Sequence, residues 1–91
     1  MRAMIPYNSV MQIVVRLFGN EARLLGTRQV QAFAREGITA GELRRNIAGQ
    51  FPAHQAVIEA CRVAVNHDFA ADDTVIKPGD EVALIGSVSG G

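Results

Sequence analysis

Few residues in this chain are of types that do chemistry, and most of them stand in patterns that chemistry does not use. His54 and His67 lie on different predicted elements, and Cys61 is the single cysteine. A zinc site draws on several such ligands at short, repeated spacings, so no metal site is expected. Cys61 alternates with Val63 and Val65 in an apolar run. That is the setting of a small buried hydrophobe, whereas a nucleophilic thiol wants an electropositive, partly exposed site. Asp68, Asp72 and Asp73 lack the Gly and distal Glu of a calcium loop and read as a solvated loop. Neither G-x-x-x-x-G-K-[ST] nor G-x-G-x-x-G occurs, so no phosphate cradle and no bound cofactor are expected.

One group remains. The chain ends Val88-Ser89-Gly90-Gly91. A terminal α-carboxylate needs no side chain to react: a partner enzyme can activate it as an acyl-adenylate, which is then attacked. Gly90 and Gly91 leave that carboxylate unhindered and can pass through a channel too narrow for a Cβ. By chance about 0.5% of chains would end this way at ordinary glycine usage. The pair therefore needs support from the elements that position it.

Residues 81–85 (EVALI) read as the last strand, entered from Lys77-Pro78-Gly79-Asp80, which has strong turn chemistry. If Val82 and Leu84 face the core, Ala83 and Ile85 face outward by alternation. Ile85 with Val88 would then form an apolar contact strip leading to the carboxylate. Upstream, residues 12–18 (QIVVRLF) are rich in β-branched residues, a strand signature that puts Ile13, Val15 and Leu17 on one face. Residues 21–25 predict a helical turn before Gly26, and residues 27–33 a second strand antiparallel to the first. Thr39 and Glu42 have the spacing of a capping box. Leu43, Ile47 and Phe51 follow as an apolar helical stripe, with Arg44, Arg45 and Asn46 on the wet side, until Pro52 ends the helix. Residues 53–59 add a short helical turn. Residues 61–65 make a strand, Asn66-His67 a turn, and residues 68–70 a short strand pairing back. Strands around a single main helix imply an α+β class, with one helix packed on one face of a mixed sheet.

The 91 residues fit one domain: an extension over 1–10, a folded unit over 11–85 and a small-residue tail over 86–91. Nine Lys+Arg balance nine Asp+Glu, and aromatics make up 5% with no Trp. A nucleic-acid partner, which calls for a basic face or a stacking platform, is not expected. No stretch approaches the ~20 apolar residues of a membrane span, and no signal peptide is visible. With one cysteine no internal disulfide can form, and the reducing cytoplasm is the expected compartment.

Three segments are familiar as a set. Val63-Ala64-Val65-Asn66, Ile76-Lys77-Pro78-Gly79-Asp80-Glu81-Val82-Ala83 and Val88-Ser89-Gly90-Gly91 resemble the MoaD-like branch of the ubiquitin-like sulphur carriers. That branch includes the small subunits of molybdopterin synthase. The resemblance runs from about Met11 to Gly91. It implies a β-grasp fold, and a ubiquitin-activating-like partner that uses ATP to adenylate the carboxylate of Gly91. A sulphur donor would then leave a thiocarboxylate there, and the tail would deliver sulphur to a molybdopterin precursor in the synthase large subunit. On that resemblance Gly91 is the reacting residue, Gly90 the slender neck preceded by Ser89 and Val88, and Ile85 a position contacting the partner. The catalytic side chains would belong to the large subunit.

The chain departs from the family pattern in three places. Gly86-Ser87 stands where two prolines are common, Leu84-Ile85 replaces an aromatic pair, and Asn66-His67 replaces Asn-Gly. These leave a sulphur carrier for thiamine thiazole or another pathway, such as cysteine synthesis, as an alternative. A ubiquitin-like modifier joined to lysines through Gly91 is a second, and a plain β-grasp interaction module a third.

Overall fold

The computed structural model describes residues 10–86. Strand β1 (Val10–Phe18) enters a short helix α1 (Asn20–Leu25), and β2 (Gln29–Arg35) returns beside it. The main helix α2 (Ala40–Gln50) follows, then a single 3₁₀ turn (Pro52–His54), helix α3 (Gln55–Glu59), and strands β3 (Arg62–Val65), β4 (Asp68–Phe69) and β5 (Val82–Ile85). The five strands form one sheet in the order β2-β1-β5-β3-β4. β1 and β5 run parallel at its centre, and the other pairs are antiparallel. A mixed sheet with one main helix across one face is the β-grasp arrangement.

The alternation in the sequence decides which face that is. Ile13, Val15 and Leu17 of β1, Val30, Ala32 and Ala34 of β2, Val63 of β3, and Val82 and Leu84 of β5 are all buried. Leu43 and Ile47 of α2 and Ile58 of α3 complete the same core with no exposed surface. Each such aliphatic side chain contributes about 1.5–3 kcal/mol on leaving water. Phe51, expected to continue the helical stripe, falls at the helix C-cap and is half-buried.

The start of α2 leaves few backbone donors unmet. Thr39 Oγ1 accepts from the Glu42 N–H at 3.2 Å, and Glu42 Oε1 accepts from the Thr39 N–H at 3.0 Å. The Ala40 and Gly41 N–H groups donate to the carbonyls of Thr74 and Asp72. The capping box therefore forms as read, and the polar loop at 72–74 completes it. Arg44 departs from the wet side assigned to it. It is half-buried, with Nη2 2.9 Å from Asp72 Oδ2 and Nη1 3.4 Å from the Cys61 carbonyl. No helix among the described residues is long and apolar enough to cross a membrane.

Candidate functional site

Strand β5 is pinned at both ends. At its entry the Asp80 N–H donates to the Lys77 carbonyl at 3.0 Å, and the Lys77 N–H donates to Asp80 Oδ2 at 2.8 Å. Gly79 takes φ 88°, which a side chain would strain. Asn66 Nδ2 donates to Asp80 Oδ1 at 3.0 Å, while Asn66 Oδ1 accepts from the Glu81 N–H at 3.0 Å. One asparagine thus ties the β3–β4 turn to the β5 entry. The Lys77 N–H, and after it the Asn66 amide, hold the Asp80 carboxyl below the usual aspartate range. At the exit the Gly86 N–H donates to the Phe18 carbonyl at 2.7 Å, adding one rung to the β1–β5 ladder. Whatever follows Gly86 leaves from a fixed point.

Among the described residues no helix covers the opposite face of the sheet, and the strand register assembles it. Arg16, Ala83, Ala64 and Phe69 form one row across four strands, and Phe18, Ile85 and Arg62 form the next. Phe18 is 49% exposed and Phe69 54%. A groove of about 590 Å³ runs over this face, its lining including Arg16, Phe18, Phe69, Ala83 and Ile85. The Arg62 guanidinium lies 3.8 Å from the Phe69 ring centroid, a cation–π contact that keeps the ring turned along the sheet.

Ala83 and Ile85 sit together on this outer face, half-buried, with Val82 and Leu84 in the core. Val88, Ser89, Gly90 and Gly91 lie outside the described residues. Phe18 and Arg16 escaped the reading as site residues although they alternate with Val15 and Leu17. Their signal was present, but only register shows that they flank β5. Phe69 and Arg62 join the same patch through β3 and β4 pairing, which periodicity does not reveal.

Glu21 had no sequence signal at all. An acid in the first turn of a six-residue surface helix reads as wet, yet Glu21 is fully buried. Neither of its carboxyl oxygens has a hydrogen-bond partner among the described residues. A Cβ placed on Gly86 would run into Oε1 of Glu21, and one on Gly19 would come within 3.1 Å of the same atom. Cys61 is buried beside α3 and donates its S–H to the Val57 carbonyl at 3.3 Å. Burial first, and the Glu21 charge second, push its thiol from 9.0 up to about 11 against a smaller opposing pull from Arg44. A thiol so placed is a poor nucleophile at neutral pH. His67 Nε2 lies 2.8 Å from Glu81 Oε1 at the surface, and His54 is half-buried in the 3₁₀ turn. Among the described residues no three His, Cys, Asp or Glu side chains converge on a metal position.

The sequence and the fold have counterparts among known proteins. The molybdopterin synthase sulfur carrier subunit of Chlamydomonas reinhardtii is 31% identical over 83 residues, covering 89% of this chain and all of that protein. The structure of SAMP1, small archaeal modifier protein 1, from Haloferax volcanii superposes with a TM-score of 0.75 at 28% identity, covering 89% of this chain and 100% of that one. A chain in the complex of subunits 1 and 2 of the molybdopterin-converting factor from Helicobacter pylori shares the fold, with a TM-score of 0.59 at 24% identity, covering 89% of this chain and 100% of that one. The ThiS family profile matches residues 15–91, which takes in β5 and everything after it, and the chain belongs to the ThiS family.

Proposed function

We propose that this protein is a sulphur carrier whose reacting group is the carboxylate of Gly91, serving as the small subunit of a molybdopterin synthase. The observation that carries the reading is the strand exit. β5 is fixed at Asp80 and at Gly86, and beside it lies a groove of about 590 Å³ lined in part by Phe18, Phe69, Ala83 and Ile85. The carrier named among its relatives matches along its whole length.

In this proposal an adenylating enzyme binds the outer face and takes the tail into its ATP site. The Gly91 carboxylate attacks the α-phosphate, pyrophosphate leaves, and a mixed anhydride with AMP forms. Sulphur from a donor then displaces AMP, which departs with one carboxylate oxygen and leaves a thiocarboxylate. The synthase large subunit next binds the same face and supplies the side chains for transfer to the molybdopterin precursor. Ala83, Ile85, Phe18 and Phe69 supply apolar contact, with Val88 continuing it, and Ser89 and Gly90 form the slender approach. Neither Arg16 nor Arg62 is in an ion pair among the described residues, so each favours a carboxylate on the partner surface. ATP is the partner's substrate; no bound cofactor is part of the proposal. The setting is the cytoplasm, where the free Cys61 stays reduced.

Intact mass after incubation with ATP, an adenylating enzyme and a sulphur donor tests the reading. An oxygen-to-sulphur exchange at Gly91 is expected, and its absence with a proven enzyme would sink it. Deleting Gly91 should abolish the exchange without altering the melting curve. The likeness to SAMP1 favours a second reading, conjugation through Gly91 to lysines of other proteins, for which isopeptide-linked ladders would be the signature. Co-purification with a thiazole synthase instead of a large synthase subunit would move the carrier to thiamine synthesis.

A further inference from the structure

The carrier chemistry makes no use of Glu21, yet no other side chain in the described core is held at such cost. It is completely buried, and among the described residues both carboxyl oxygens lack a donor. Arg44, which shares the surroundings of Cys61 with Glu21, is engaged on Asp72. Burying a carboxylate without a partner consumes a large share of the stability a small domain has. A glutamine or methionine would fill the same space more cheaply, so the carboxylate does not serve the free protein's stability.

Its surroundings indicate what it does serve. Oε1 lies against the Cα of Gly86, the first residue beyond β5, and close to Gly19, where β1 ends. Both positions where the carboxylate comes up to the backbone are glycine, so neither residue's own side chain separates it from the chain there. A carboxylate is acceptor-only, with two oxygens to satisfy. A guanidinium meets both at once, and an ammonium meets one or both as a point charge.

We propose that Glu21 is a receptor for a basic side chain of the protein that grips the tail. On docking, an arginine or lysine of that protein enters beside Gly86, the last β1–β5 rung gives way, and the cation pairs with the Glu21 carboxylate. The unpaired acid of the free chain becomes a buried ion pair in the complex, and the pair fixes the direction in which the tail is drawn out. This inference rests on the carrier reading above.

Three full-length variants test it. Glu21→Gln keeps the shape without the charge, Glu21→Asp keeps the charge with a shorter reach, and Glu21→Met removes both charge and polarity. Affinity is measured by calorimetry for the synthase large subunit and for the adenylating enzyme, beside the melting temperature of each free variant. Glu21→Gln and Glu21→Met should melt no lower than the wild type. Both should bind at least one of the two proteins tenfold or more weakly, and Glu21→Asp should recover part of that loss. Wild-type affinity of Glu21→Gln for both proteins would overturn this inference alone. Equal losses in Glu21→Asp and Glu21→Gln would reduce Glu21 to a space-filling residue and overturn it as well. Failure of the wild type to bind either protein would overturn the carrier reading and this inference with it.

Discussion

Glu21 and Cys61 share the interior, close enough that the glutamate charge raises the thiol. Removing the unpaired acid should relieve the free chain: Glu21→Met is expected to raise unfolding free energy by about 1–3 kcal/mol in denaturant titrations, the cost of an unsatisfied buried polar group. Cys61 should resist alkylation at pH 7.5 in the folded protein and react once it is unfolded. Its pH effect has a definite sign. The folded thiol titrates near 11 and the unfolded one at 9.0. Below pH 9 both states keep the proton and nothing is lost. From pH 9 toward 11 the unfolded chain ionises first, so stability declines across that window. Denaturation of wild type and Cys61→Ala at pH 8 and pH 10.5 should show a decline in the wild type that the variant lacks.

At the scale of elements, the turns around β5 decide how firmly the ends of that strand are held. Asn66 and His67 both have positive φ, 53° and 73°, the pattern of a tight hairpin turn that favours Asn-Gly. The left-handed region costs a non-glycine residue about 1–2 kcal/mol, and glycine returns roughly 0.5–1 kcal/mol of that as chain entropy. His67→Gly should therefore stabilise by about 0.5–1 kcal/mol, since the His67–Glu81 contact it removes is exposed on both sides and worth little. Asp80 has the opposite linkage to Cys61. Its carboxyl is held low in the folded state, so its contribution is present above the ordinary aspartate pKa and disappears as pH falls through the folded value. Asp80→Ala should lower the melting temperature at pH 7, and the gap to wild type should close in acid. Removing the helix cap with Thr39→Ala should cost about 1 kcal/mol, read by chemical denaturation.

For the whole molecule, one face of the sheet carries stability, and in the proposed function the other carries recognition. Leu84 and Ile85 are adjacent in sequence and test this division. Leu84 has no exposed surface, whereas Ile85 is half-buried on the outer face. Leu84→Ala should destabilise by about 2–5 kcal/mol. Ile85→Arg should cost the fold about 1 kcal/mol or less and weaken partner binding tenfold or more by calorimetry. The reverse order would make Ile85 a core residue.

Local chemistry in the sequence was enough for the element order, the capping box at Thr39 and Glu42, the turn at Lys77–Asp80, and the inward and outward sides of β5. Each follows from interactions a few residues apart. The terminal glycines are legible in the sequence as an unhindered carboxylate, because a chain terminus needs no assembly by the fold; their role as the reacting group belongs to the proposal. Register and packing belong to the tertiary structure. Parallel pairing of β1 with β5 brings Arg16 and Phe18 beside Ala83 and Ile85, and β3 and β4 carry Arg62 and Phe69 to the other flank. No periodicity specifies which strands become neighbours, because alternation fixes only a strand's own two faces. Glu21 marks the same limit most sharply. Its sequence neighbours predict a solvated acid, and only the closure of β5 against β1 at Gly86 buries it beneath the point where the tail begins.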